Sequence, residues 1–418
     1  MSVVTKDLVI IGGGPAGLAA AVSAYDNGVK DILVIEREGK PGGVLKQCIH
    51  NGFGLTRFGE NLTGPEYAYK FIDEVEKRNI EVLTDSFVLE LSEDKVVTYT
   101  NTNGISQVKA KAVILAMGCR ERSKGALNIA GTRPAGVFSA GTAQKYVNIN
   151  GVLPGKRVVI LGSGDIGLIM ARRMTLEGAK VLCVSELMPY SSGLKRNIEQ
   201  CLNDFDIPLY LSHTIVEIEG KERVTGVKIA KVDDATKRPI PGTEMHFDCD
   251  TVLFSVGLIP ENELSVRAGI GLSGATKGAI VDNYRETQIE GVFACGNALH
   301  VHDLVDFVSE EAEIAGKSAA EYILNGKKDK KYIETFAGSN VAYVLPQKID
   351  VNVTQPQKVY FRVRTTLKNC YAVVETGATT RKMKKISVAP GEMESVRLTV
   401  DELKNASAIK ISIVEGDK

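Results

Sequence analysis

At 418 residues the chain exceeds what one hydrophobic core usually serves, so two or three domains are expected. Its residues are 44% hydrophobic and 24% charged, and 51 Lys and Arg offset 51 Asp and Glu, a balance that excludes the global charge drawing proteins to nucleic acid or membrane surfaces. The seven cysteines are scattered with no C-x-x-C redox or metal pair, and no apolar run is long enough to span a bilayer or carries a cleavable-leader pattern; a reducing, cytoplasmic location is expected.

Residues 7–36 read as one complete dinucleotide-binding βαβ unit. A short apolar strand at 8–11 runs into Gly12, Gly13, Gly14, Pro15, Ala16 and Gly17, a G-x-G-x-x-G. The first glycine permits a tight turn, the second lets a pyrophosphate approach the backbone, and the third lets the helix pack on the strand. A helix starting near Pro15 aims its free N–H groups and positive dipole end at the phosphates. The next strand, 32–35, ends in Glu36, where this motif places an acid that grips a ribose hydroxyl.

Four glycines and an asparagine make 42–54 a long ordered loop of the kind that lines sites. Cys48 and His50 are its titratable pair, and two readings stand: a reactive thiol activated by the imidazole, or a small buried residue beside a loop hydrogen-bonder. Helical spacing of apolar residues predicts an amphipathic helix over 65–78. Strands follow at 81–91, 95–100 and 105–110, the last two joined by the hairpin signal Thr102-Asn103-Gly104, and a buried strand at 112–118 closes on Gly118.

The next stretch repeats the opening device. A strand at 157–161 meets Gly162, Ser163, Gly164, Asp165, Ile166 and Gly167; a helix occupies 168–177, and the strand 180–184 leads to Glu186. Two full fingerprints imply two dinucleotide sites. Glu186 is followed by Leu187 rather than by a base for a ribose phosphate, which favours NAD(H) over NADP(H). A helix at 197–204, a small sheet from 213–219, 224–231 and 245–248, and a buried strand over 250–257 complete this part.

From here the order of motifs is similar to the pyridine-nucleotide-dependent flavoproteins of the thioredoxin reductase and disulfide reductase superfamily: first fingerprint, Ala116-Met117-Gly118, second fingerprint, then 287–297, which ends in Ala294-Cys295-Gly296-Asn297. The resemblance covers roughly the first 335 residues. It implies FAD in the first site, with Gly43, Gly118, Gly296 and Asn297 beside the fingerprint residues and Glu36, and a nicotinamide nucleotide in the second. The family usually has aspartate where this chain has Asn297, and the family's redox dithiol is missing. More narrowly, 42–54, 62–67, 118–122 and 188–194 resemble the FAD-dependent oxidoreductases associated with a bacterial glycerol 3-phosphate dehydrogenase, related to opine dehydrogenase and sarcosine oxidase alpha subunits. That match implies a partner flavoprotein dehydrogenase subunit, with any iron-sulfur cluster on a partner protein, since only Cys370 lies in the C-terminal region. A homo-oligomer is compatible with it.

His300 and His302 lead into a helix over 304–325 whose N-terminus, by the same resemblance, faces the flavin; they either tune the ring or cap and pack the helix. The tail from 338 onward has six or seven short β-branched segments, the pattern of a small β-sandwich, with 13 Lys and Arg against 8 Asp and Glu and a cluster at Arg381, Lys382, Lys384 and Lys385. That cluster is either a solvated face or a docking surface for an acidic partner.

The expected fold is α/β: two Rossmann-like dinucleotide-binding domains of the three-layer ββα type plus a small C-terminal all-β sandwich. FAD-binding segments are expected at 1–122 and 281–335, an NAD(H)-binding domain at 123–280 and the sandwich at 336–418. The expected activity is electron transfer between NAD(H) and a partner flavoprotein or other acceptor. The alternatives are a single-cysteine NADH oxidase or peroxidase using Cys48 and His50, and a non-catalytic flavin-binding scaffold. No metal site, nucleic-acid partner or membrane span is expected.

Overall fold

A computed structural model describes residues 3–416. Strand β1, Val4–Ile11, takes its continuous run of apolar residues into the interior: Leu8, Val9 and Ile10 are fully buried, as expected of a parallel strand covered on both faces. Helix α1, Pro15–Asp26, starts on a proline whose missing N–H would have been unsatisfied at that position anyway. Strand β2, Ile32–Ile35, pairs with β1 in parallel. Helix α2, Gly64–Lys77, opens with a capping box in which the Thr63 hydroxyl accepts from the Glu66 N–H and the Glu66 carboxylate accepts from the Thr63 N–H.

The single strand anticipated over 81–91 is two, β3 (Glu81–Leu83) and β4 (Phe87–Leu91), because Asp85 turns the chain with φ at +48°. Strands β5 (Val96–Asn101) and β6 (Gly104–Leu115) form the anticipated hairpin. However, β6 runs on without a break through the residues read as a separate strand. Its first half pairs antiparallel with β5 and its second half parallel with β1.

The chain forms two compact units, one comprising residues up to Cys119 together with those from Pro260 onward, the other Arg120–Ile259. In the second unit, β7 (Val137–Ser139), β8 (Arg157–Leu161), β9 (Lys180–Glu186), β10 (Leu209–Leu211) and β14 (Thr251–Phe254) make a parallel sheet in the order β7-β14-β8-β9-β10. Helix α3, Ala140–Asn148, and helix α4, Asp165–Leu176, pack on one face of that sheet. A small sheet with strands β11 (His213–Gly220), β12 (Val224–Lys231) and β13 (Met245–Asp248) covers the other.

On its return the chain adds β15, Val292–Ala294, beside the C-terminal half of β6, and helix α5, Val305–Asn325. The sheet then separates two cores. Leu8, Ile10, Ala112 and Ile114 join α1 and α5 on one face, and Val9, Ile11, Val113 and Leu115 join Val97 and Val108 of the hairpin on the other. Truncating one such buried leucine or isoleucine to alanine costs about 2–5 kcal/mol. Helices α1 and α5 touch so closely that a Cβ on Gly316 would lie 2.3 Å from the Ala20 carbonyl oxygen.

Residues 260–280, expected with the second domain, belong to the first unit: Ala268, Ile270 and Ala279 pack into the same core as Val9 and Leu115. The tail forms the anticipated β module, eight strands in two sheets around one core. The larger sheet holds β16 (Tyr332–Ala337), β18 (Lys348–Asp350), β20 (Leu367–Glu375), β21 (Thr380–Val388) and β23 (Ile409–Glu415); the smaller holds β17 (Val341–Leu345), β19 (Gln357–Val363) and β22 (Glu394–Leu398). Leu345 and Tyr360 leave the module's own core and pack with Val9 and Leu115, so the module is fused to the first unit.

Candidate functional site

The two glycine fingerprints have the same internal logic. The first and third glycines are demanded by the protein itself. A Cβ on Gly12 would sit 2.4 Å from the Ala116 oxygen and one on Gly17 1.8 Å from the Gly12 oxygen. The corresponding positions at Gly162 and Gly167 would meet Ser255 and Gly162 oxygens at 2.0 and 2.4 Å. The second glycine is different. A Cβ on Gly14 would find nothing nearer than the Gly43 Cα at 3.8 Å, and one on Gly164 only the Ser192 and Ser255 hydroxyls at 3.7 Å. No described protein atom requires a glycine at either place, and neither residue has the positive φ that would. Space kept clear at a helix N-terminus fits a dinucleotide pyrophosphate, and the residues present therefore suit the group that the sequence implies.

The acids repeat the match. Glu36 is buried at the end of β2; its carboxylate accepts from the Gly13 N–H at 2.7 Å and the Glu38 N–H at 2.8 Å. Glu186, buried at the end of β9, accepts from the Ser163 N–H at 2.8 Å and the Met188 N–H at 2.9 Å, with the Ser163 hydroxyl added at 2.7 Å. Each carboxylate has lone pairs left for ribose hydroxyls. Asp165 has a supporting job: its carboxylate accepts from the Leu194 N–H and the Asn197 amide, tying the following loop to the start of α4, while Ile166 packs beside the adjacent core. Sequence reasoning misses the Ser192 and Ser255 hydroxyls beside Gly164; a serine next to a distant strand end carries no local signal.

In the first unit, Gly43 and Gly296 converge on the start of α1. A Cβ on Gly43 would approach the Gly14 Cα to 2.9 Å, and one on Gly296 the Ala16 Cβ to 2.7 Å. Pro15 lies between them in sequence as the first residue of the helix. Gly118 faces open space at φ +75°. The Asn297 carboxamide oxygen accepts from the His302 N–H at 3.0 Å, and its amide nitrogen lies 3.6 Å from the Cys119 sulfur.

Cys48 lies in the loop before α2, where its thiol donates to the Val44 carbonyl at 3.4 Å and burial pushes its pKa up to about 12. That environment opposes the thiolate a peroxidase mechanism needs. His50 hydrogen-bonds the Asn51 carbonyl at 3.1 Å and packs at a tilt against Phe53 with ring centroids 5.1 Å apart. Cys183 and Cys249, which share a core in the second unit, are likewise pushed up to about 12 by burial.

His300 and His302 do not cap α5, whose N-cap residue Leu304 has no side-chain cap bond. Both rings point to Glu311, which lies further along α5, at 3.2 and 3.1 Å through Nε2. Glu311 also accepts from the Arg285 Nε at 3.1 Å and the Gly296 N–H at 3.0 Å, all with the carboxylate fully buried. Desolvation alone would raise its pKa, but the imidazoles and the guanidinium around it hold it well below the ordinary carboxylate range. Burial, then the neighbouring His302, pulls His300 down to about 4. Glu311, His300 and His302 could offer three metal-ligand atoms within 4.8 Å of one another, but Arg285 already balances the only carboxylate, so a divalent ion would bury uncompensated positive charge.

Residues 6–319 match the family model described as pyridine nucleotide-disulphide oxidoreductase. The chain is 30% identical to the glutamate synthase [NADPH] small chain of Escherichia coli (strain K12), over 77% of this chain and 68% of that protein. It is 29% identical to the thioredoxin reductase of Bacillus subtilis (strain 168), over 76% and 94%, and 25% identical to an opine oxidase subunit of Agrobacterium tumefaciens (strain Ach5), over 80% and 67%. The crystal structure of T. acidophilum thioredoxin reductase superposes on 76% of this chain and 98% of its own with a TM-score of 0.62, at 24% identity, and shares the fold. The chain belongs to the pyridine nucleotide-disulphide oxidoreductase family and is an FAD-dependent oxidoreductase that uses NAD(P)H.

Proposed function

We propose that the first fingerprint holds FAD, the second holds NAD(H), and the chain passes electrons between NAD(H) and a partner flavoprotein dehydrogenase subunit of the kind that oxidises glycerol 3-phosphate. The observation that carries the two-site part is the pair of second glycines, Gly14 and Gly164, kept open where nothing described in the protein needs them open. FAD supplies the centre that takes up and releases electrons. Gly14, Pro15 and the free N–H groups of α1 would bind the pyrophosphate of FAD, and Glu36 its ribose. Gly164 and the start of α4 would do the same for NAD(H), with Glu186 on the ribose diol. A 2′-phosphate there would meet a buried carboxylate and an aliphatic Leu187, which favours NAD(H) over NADP(H).

The partner reading rests on what this chain lacks and on how its relatives are described. None of the described cysteines forms a disulfide, no two form a C-x-x-C, and those sharing a core are buried thiols, so electrons need another exit than a dithiol. Three similar proteins are named as parts of larger enzymes: an opine oxidase subunit, the glutamate synthase small chain and an alkyl hydroperoxide reductase subunit. The glycerol 3-phosphate association rests on the sequence resemblance alone. Seven cysteines with no disulfide among them support a reducing, cytoplasmic setting. The experiment is anaerobic mixing of the purified flavoprotein with glycerol 3-phosphate alone and with NADH alone. NADH should bleach the flavin and glycerol 3-phosphate should not; bleaching by glycerol 3-phosphate would move the donor site onto this chain.

A further inference from the structure

The β module lies beyond the matched residues 6–319, yet it reaches the turn that the first dinucleotide site is built on. The turn, Gly296–Ala298 and the residues up to Asp303, is held from two sides. From α5, the Glu311 carboxylate takes the Gly296 N–H and both imidazoles. From the module, the Tyr343 hydroxyl meets the His300 Nδ1 at 3.3 Å, the Arg362 guanidinium donates to the Val301 carbonyl at 3.1 Å and the Asp303 carboxylate at 2.8 Å, and the Met393 N–H donates to Asp303 at 2.6 Å.

Proton bookkeeping gives this chain of bonds a direction. Glu311 carries the negative charge and can only accept, so each histidine must donate to it through Nε2–H. The His300 Nδ1 is then a lone-pair acceptor, and the one hydroxyl proton of Tyr343, which also has the weak acceptor Met393 Sδ at 3.8 Å, goes to the imidazole as the stronger acceptor. The other ring is not matched in this way: the His302 Nδ1 is buried with no partner among the described residues. Tyr360 of the module packs against both rings, but among the described residues His300 is the imidazole whose Nδ1 the module holds by a hydrogen bond, and its orientation is passed through Glu311 to the Gly296 N–H. Gly296 in turn sits against Ala16 of the first fingerprint with no room for a Cβ.

We infer that the β module is a working part of the flavin half, and that Tyr343 is a positioning residue acting through His300 and Glu311 on the Gly296–Asn297 turn. The inference rests on the assignment of FAD to the first fingerprint. Its test is Tyr343→Phe in the full chain, with Arg381→Ala as the control. Arg381 lies in the same module but pairs with Glu402 and the Arg397 carbonyl, away from the turn. For each variant the FAD Kd is measured by flavin-fluorescence titration, the two-electron midpoint potential by dye equilibration and bound metal by elemental analysis. Tyr343→Phe should raise the FAD Kd about fivefold, the worth of one ordinary hydrogen bond, and shift the potential, with Arg381→Ala leaving both unchanged. His300→Gln should move both in the same sense. An unchanged Kd and potential in Tyr343→Phe, or an equal change in Arg381→Ala, would overturn the inference. Stoichiometric metal in the wild-type protein would also overturn it, because the ring nitrogens would then be ligands instead of donors. Wild-type protein that binds no FAD would refute the underlying assignment, a result distinct from bound FAD with an unmoved Kd.

Discussion

A single Cβ distinguishes the glycines that the fold requires from those, Gly14 and Gly164, that no described protein atom requires. Gly14→Ala adds a methyl with no protein neighbour inside 3.8 Å, so its melting temperature should stay level or rise slightly, while the FAD Kd increases at least about tenfold. Gly17→Ala should instead fail to fold or lose about 3 kcal/mol or more, since the new carbon collides with the Gly12 carbonyl. A Gly14→Ala protein that binds FAD normally would show that the open space has another purpose. Cys48 is a candidate nucleophile on sequence grounds because a histidine lies two residues away. Its thiol, pushed up to about 12, stays protonated at neutral pH, and Cys48→Ser should retain NADH oxidation within about twofold in a steady-state assay. His300 gives a pH prediction with a fixed sign. Its neutral form is the one the fold favours: the unfolded chain takes up the proton near 6.5, the folded chain only near 4. Stability should therefore be fully present above about pH 6.5 and fall as pH drops toward 4, by on the order of 1–3 kcal/mol from this site. Urea melts of His300→Gln should lack that part of the slope.

At the scale of elements, the two βαβ units are legible in the sequence because every step of each is local: apolar strand, glycine turn, helix, apolar strand, acid. The hairpin and the β module are also legible, from Asn103-Gly104 and from the short β-branched segments. Pairing that changes along one strand is not. Strand β6 reads as two strands since its first half alternates against a hairpin and its second half is uniformly buried, with only Lys111 between. The Glu311 network escapes sequence reasoning for a different reason. His300 and His302 are visible as a pair, but Arg285 and Tyr343 reach them only through the fold. A signal does exist: Glu311 shares a helical register with the buried Ala315 and Ala319, a charged residue on an apolar stripe. Helix α5 also reaches the loop carrying Phe53, because the Asp306 carboxylate accepts N–H bonds from Gly54, Thr56 and Arg57. Asp306→Asn should weaken that grip by about 1–3 kcal/mol and open the 54–57 segment to limited proteolysis, with α2 still intact by circular dichroism. Proteolysis no faster than in the wild type would show that the loop holds itself.

For the whole molecule, duplication is the organising fact: one device used twice, with Gly13–Glu36 and Ser163–Glu186 bonds at equal sequence spacing. That arrangement accords with the proposal that one dinucleotide reduces the other. NADH should reduce the flavin more efficiently than NADPH, and Glu186→Ser with Leu187→Arg should narrow or invert the gap in kcat/KM. Equal efficiency with both nucleotides in the unmodified protein would contradict the reading of the second acid. The central claim, FAD at the first fingerprint and NAD(H) at the second, is tested most directly by anaerobic stopped-flow reduction of wild-type and Gly164→Val proteins carrying equal FAD. The account predicts that NADH bleaches the wild-type flavin promptly and leaves the Gly164→Val flavin oxidised; bleaching of both at the same rate, or of neither, would contradict it.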